Sequence, residues 1–129
     1  MLKWIRCMHT REFSLACSFT VWDSIFLDHH ESPSRQFEFI DAMCVAMFIY
    51  MRSVVLSRET ASEILQVYQK YPLLEKGSYL EELLNLAWSI CDALRNDQSI
   101  KSDWVEESSR SNKLHFLDKG IIQPKKKNK

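Results

Sequence analysis

A row of apolar side chains at helical spacing constrains this chain most. Phe37, Ile40, Cys44, Met47, Phe48, Met51, Val54 and Val55 share one face of a helix running from about Gln36 to Leu56. Ile49 and Tyr50 widen that face, which predicts a central helix buried on several sides. Such a helix needs other helices around it. Two Gly and three Pro in 129 residues are too few for a turn-rich β fold, and no useful run alternates apolar and polar. The expected fold is all-α, an array of about five helices.

The other helices read from the same periodicity. Leu2 to about His9, with Trp4, Ile5 and Met8, forms a short helix that tertiary packing must support. Ser14 can cap the next, where Leu15, Phe19, Trp22 and Phe26 recur at i, i+4, i+7 and i+11 and are expected in the core. Asp28 to Arg35, with His29, His30 and Pro33, reads as a loop. Ser57 can cap a helix over about 58–70 with Ala61, Ile64, Leu65 and Tyr68 inward, and Pro72 helps to stop it. Ser78-Tyr79-Leu80-Glu81 matches a capping box. It opens a helix to about Asn96 with the stripe Leu80, Leu83, Leu84, Ala87, Cys91 and Leu94.

From about residue 100 the apolar density falls to the islands Trp104-Val105 and Leu114 to Leu117. A basic tail, Pro124 to Lys129, follows. Residues 99–129 are expected to be mostly disordered, and residues 1–98 to form the folded part.

Several functions are disfavoured. Seventeen basic and seventeen acidic residues cancel, so no whole-chain field attracts nucleic acid or anionic lipid. The lysine run 125–127 reads as a solvated tail. The longest apolar run, Met43 to Met51, is far short of the roughly 20 residues of a membrane span. The N-terminus lacks the pattern of a signal peptide. The expectation is a soluble cytoplasmic chain that reaches membranes only through partners. Cys7, Cys17, Cys44 and Cys91 read as reduced core residues. Cys7-x-His9 and His29-His30 are the closest metal-ligand types, and without a second pair they do not make a zinc site. Gly77 and Gly120 cannot build a phosphate loop. No metal and no cofactor is expected.

Arg11-Glu12-Phe13 and Trp22-Asp23-Ser24-Ile25-Phe26, preceded by Trp4, resemble a TBC domain, the Rab GTPase-activating fold, most closely its member-five branch. Phe39 to Met47, Tyr50-Met51-Arg52, Leu65 to Pro72 and Leu83 to Arg95 continue the likeness. It covers about residues 2 to 95, the C-terminal part of such a domain. Thr20 stands where many relatives have Arg. The resemblance implies a Rab-type GTPase as partner and vesicle trafficking as the process. Trp4, Arg11, Glu12, Phe13, Trp22, Asp23 and Phe26 would support the domain or face the GTPase. From the residues alone, Arg11 and Glu12 tie the break between two helices, and Trp22 and Phe26 are core.

An arginine supplied in trans neutralises charge on the transferring phosphoryl group and is worth about 10³–10⁵ in rate. The resemblance places it in an Ile-x-x-Asp-x-x-Arg motif, with a glutamine in Tyr-x-Gln. Asp92-x-x-Arg95 has Ser89 where Ile is required, and Tyr68-Gln69 lacks the spacer. Asp92 and Arg95 read instead as a helix-terminal pair. No GTPase activation by this chain alone is expected, and apolar surface that a full domain would cover is expected on the first and third helices. The alternative is a small helical interaction module with no GTPase role.

Overall fold

The computed structural model describes residues 2–35, 37–71, 77–98, 103 and 105–106. Among them are six helices: α1 Leu2–Arg6, α2 Leu15–Glu31, α3 Glu38–Tyr50, α4 Arg52–Val55, α5 Ala61–Gln69 and α6 Gly77–Arg95. No strand is present among the described residues, and the all-α expectation holds. Two compact units divide the chain, Met1–Phe48 with Tyr71–Ile100, and Ile49–Lys70 with Lys101–Lys129.

The first unit holds α1, α2, α6 and most of α3. Phe39, Ile40, Ala42, Met43, Cys44, Ala46 and Met47 are all buried, so this part of α3 is covered on several sides, as its composition predicts. Trp4 packs on Phe48 at 5.2 Å and edge-on to Tyr71 at 5.4 Å, and the Tyr71 hydroxyl donates to the Met47 carbonyl at 3.4 Å. Phe39 meets Trp88 of α6 at 4.5 Å. From α6, Leu80, Leu83, Leu84, Ala87, Ile90, Cys91 and Ala93 are buried. Leu94, expected in that row, is exposed, because Arg95 closes the row instead.

Several boundaries differ from the sequence reading. The first helix stops at Arg6 because a left-handed turn closes it. The third is interrupted at Met51, whose ψ of −1° lies at the edge of the right-handed helical region, just before the weaker helix formers Ser53, Val54 and Val55. The second does not end at Asp28 but runs to Glu31, so Asp28, His29 and His30 are helical. Ser78 lies inside α6, which already begins at Gly77.

In the second unit α5 is capped by Thr60, not Ser57. Glu63 N–H donates to Thr60 Oγ1 at 3.3 Å, and Thr60 N–H donates to Glu63 Oε2 at 3.2 Å. Thr60 has the glutamate three residues on that the reciprocal cap needs, whereas the Ser57 hydroxyl donates to the Val54 carbonyl at the end of α4. No residue of α5 is buried; Ala61 and Leu65 are exposed, and Ile64 and Tyr68 are half-buried, against the inward expectation. Asp103, Val105 and Glu106 have helical backbone. Gln36, Pro72, Trp104, the island 114–117, the lysine tail and the rest of the expected disordered segment lie outside the described residues.

Candidate functional site

The turn between α1 and α2 gathers most of the residues singled out in the sequence. Helix α1 closes with Met8 N–H donating to the Ile5 carbonyl at 3.1 Å and His9 N–H to the Trp4 carbonyl at 2.9 Å, the paired bonds of a Schellman end. That end needs a left-handed residue, usually glycine; here Met8 has φ 44° and His9 φ 62°. Thr10 Oγ1 donates to the Cys7 carbonyl at 2.7 Å and Glu12 N–H to the His9 carbonyl at 3.2 Å. Ser14 then caps α2 by accepting from Cys17 N–H at 3.4 Å, as the sequence predicts. Trp22 Nε1–H reaches back to the Met8 carbonyl at 2.9 Å, which fixes the turn to α2.

Trp4 and Phe13 are buried and hold the turn from inside. Glu12 is buried and ion-paired to Lys3 at 3.3 Å, so it ties the break. Arg11 does not share that role; it is exposed. His9, read as the end of the first helix, lies in the turn after it and is fully buried. Its ring lies 6.3 Å from Phe13, and neither ring nitrogen has a hydrogen-bond partner among the described residues. Burial pushes its pKa down to about 4, so the imidazole is neutral at pH 7.

The face of α2 is reversed from expectation. Cys17, Ser18, Val21, Ile25 and Asp28 point inward. Leu15 is 72% exposed, Phe19 52% and Phe26 54%, with Leu27 beside them at 49%. Trp22 is half-buried and meets Phe19 edge-on at 6.0 Å. Phe26 is therefore not a core residue, and neither are Leu15 and Phe19. These side chains run ~16 Å along the helix, with Arg11 and Asp23 exposed nearby. The longest run of exposed large apolar side chains among the described residues thus lies on α2, while Phe37 and Leu56, at the two ends of the expected third helix, are exposed as well.

A second cluster, which the sequence reading passed over, sets that rotation. Asp28 is buried; its Oδ2 accepts the Phe39 N–H at 3.2 Å and its Oδ1 is ion-paired with Arg95. Arg95 also reaches Glu38 at 3.5 Å and Asp92 at 4.0 Å. The Asp92–Arg95 pairing expected at the helix end is present, but it is the lesser part. Burial, and next to it Asp28, pushes the Cys91 thiol up to about 11. Burial and Asp41 do the same to Cys44, also to about 11. The signal for this cluster was the row Cys17, Val21, Ile25, Asp28, at helical spacing and ending in a charge. Among the described residues no group of three or more His, Cys, Asp or Glu side chains could hold a metal ion. None of these helices is long and apolar enough to cross a membrane.

The chain is distantly similar to a TBC protein. It is 29% identical over 91 residues to the TBC1 domain family member 5 homolog B of Dictyostelium discoideum. The match takes in 70% of this chain and 8% of that protein, so the chain spans under a tenth of its relative's length. No protein-family model matches, and no solved structure does.

Proposed function

We propose that residues 1–98 supply the C-terminal helices of a TBC-type regulator of Rab-type small GTPases in vesicle trafficking, with 99–129 as its tail. In this reading the chain acts by binding and supplies no catalytic charge. The exposed apolar face of α2 carries the proposal: Leu15, Phe19 and Phe26 form a binding surface, with Arg11 and Asp23 at its edge. Trp4, Glu12 and Phe13, all buried, support that surface from beneath, and half-buried Trp22 anchors it to the turn. The similarity to the Dictyostelium protein supports the family. Asp92-x-x-Arg95 departs from the arginine-finger pattern, and Arg95 is occupied by Asp28 and Glu38.

Purified residues 1–129 would be added to a panel of Rab-type GTPases, with both phosphate release and binding measured. Binding to at least one GTPase without faster hydrolysis is expected, and Phe19→Ser/Phe26→Ser should abolish it. Acceleration near the ~10³-fold of an arginine finger would refute the binding-only reading. No binding across the panel would favour the interaction module without a GTPase role, which the same α2 face also suits.

A further inference from the structure

His9 is a titratable side chain in a place that disfavours its charged form. It is fully buried, and both ring nitrogens lack partners among the described residues. Its backbone, by contrast, is fully engaged: its N–H donates to the Trp4 carbonyl and its carbonyl accepts from Glu12 N–H. The same turn carries two successive non-glycine residues in the left-handed region, Met8 and His9, a conformation held only by its surroundings. An imidazolium has two N–H donors, and burying them unpaired with a charge is strongly unfavourable. Proton uptake is therefore disfavoured while the ring stays buried, and favoured in any state in which the ring, the Schellman turn around it and the Met8 carbonyl's bond to Trp22 have opened.

We propose that His9 is an acid-operated latch, in which proton uptake by the imidazole frees α1 and the following turn from α2. Charged and titratable neighbours would not hold the ring in place. On α1 these are Lys3, already paired with Glu12, and exposed Arg6. In the turn they are Cys7, exposed Arg11 and Glu12, whose Oε2 is buried without a partner. On α2 it is exposed Asp23, and on α3 exposed Asp41 and buried Cys44. Tyr71, against Trp4, is bonded to Met47. Glu12 is the one group that could capture the imidazolium, and the test separates that outcome.

With the site protonating near 4 when closed and near 6.5 when open, lowering the pH from 7 to 5 raises the open population ~20-fold. Hydrogen exchange at the Met8 and His9 amides of the full chain, corrected for intrinsic rates, reads that population. Protection there should fall ~20-fold at pH 5, while Ala87 and Cys91 amides in α6 hold theirs. His9→Asn, which tolerates the left-handed turn and does not titrate, should remove the pH dependence. Unchanged wild-type protection, an equal fall in the variant, or an equal fall in α6 would each overturn the latch. Should the variant fail to fold, imidazole proton resonances of the wild type decide: a folded His9 pKa well below 6.5 supports the latch. A value at or above 6.5, as capture by Glu12 would give, refutes it.

Discussion

Replacing Asp28 with Asn removes one charge from a carboxylate that α2, α3 and α6 share. The amide keeps an oxygen for the Phe39 N–H, now 3.2 Å from Oδ2, so the start of α3 stays bonded. The charge-assisted contact with Arg95 is lost, an interaction worth about 1.5–3 kcal/mol. Arg95 still has Glu38 and Asp92 and keeps a fifth of its side-chain surface in water. We therefore expect Asp28→Asn to cost about 2 kcal/mol. Arg95→Met is the worse change: it strands a fully buried carboxylate with only the Phe39 N–H and a distant Cys91 thiol at 3.9 Å. Breaking a buried pair from that side costs about 3–5 kcal/mol. The double variant should be more stable than Arg95→Met alone, because the stranded charge has gone. Equilibrium urea unfolding at pH 7, followed by helical circular dichroism and tryptophan fluorescence, measures all three. If Arg95→Met proves milder than Asp28→Asn, or if the two losses simply add, the carboxylate is not the shared anchor described above.

Met8→Gly should raise the thermal midpoint, by about 1 kcal/mol of stability, since the φ of 44° at this position costs glycine nothing; a lowered midpoint would mean that the Met8 side chain packs more than it strains. Ile25→Ala should cost about 2–5 kcal/mol and Phe26→Ser less than about 0.5 kcal/mol, because the first side chain is fully buried and the second mostly exposed; chemical denaturation of the pair checks which face of α2 is inside. Cys44 and Cys91, pushed up to about 11, should resist iodoacetamide at pH 8, where roughly one thiol in a thousand is ionised, and react once urea unfolds the chain; mass spectrometry of native and unfolded samples reads the difference. As the pH rises toward 11 their native-state reaction should quicken.

The fold was legible where one side chain type dominated a face. In α3 nearly every residue from Phe39 to Met47 is apolar, so burial on several sides followed from composition. Ser14 could be read as a cap because the cap needs only its own hydroxyl and an amide three residues on. Met8 could not be read as a left-handed residue, since nothing in Arg6-Cys7-Met8-His9 carries the glycine that usually marks such a turn. His9 was hidden for the same reason: a histidine read as the end of a short helix gives no sign that the turn closing that helix folds inward. Thr60 was missed because Ser57 lies nearer the preceding helix, although Thr60 alone has the partner Glu63.

The reversed face of α2 has a polar contribution that apolar area does not show. The helix carries two apolar rows, one of large residues (Leu15, Phe19, Trp22, Phe26) and one of smaller residues (Cys17, Val21, Ile25). Hydrophobicity alone favours burying the larger row. Asp28 and Phe26 are two residues apart and so lie ~160° apart around the helix; a rotation that buried Phe26 would carry Asp28 away from Arg95 and from the Phe39 N–H. Arg95 would then lose its Asp28 partner, and the Phe39 N–H at the start of α3 would lose its acceptor. The polar anchor therefore acts together with the burial of Cys17, Val21 and Ile25 in keeping the larger row, on which binding is proposed, at the surface. A periodicity count weighs only apolar area and does not register an anchor formed by residues 67 positions apart.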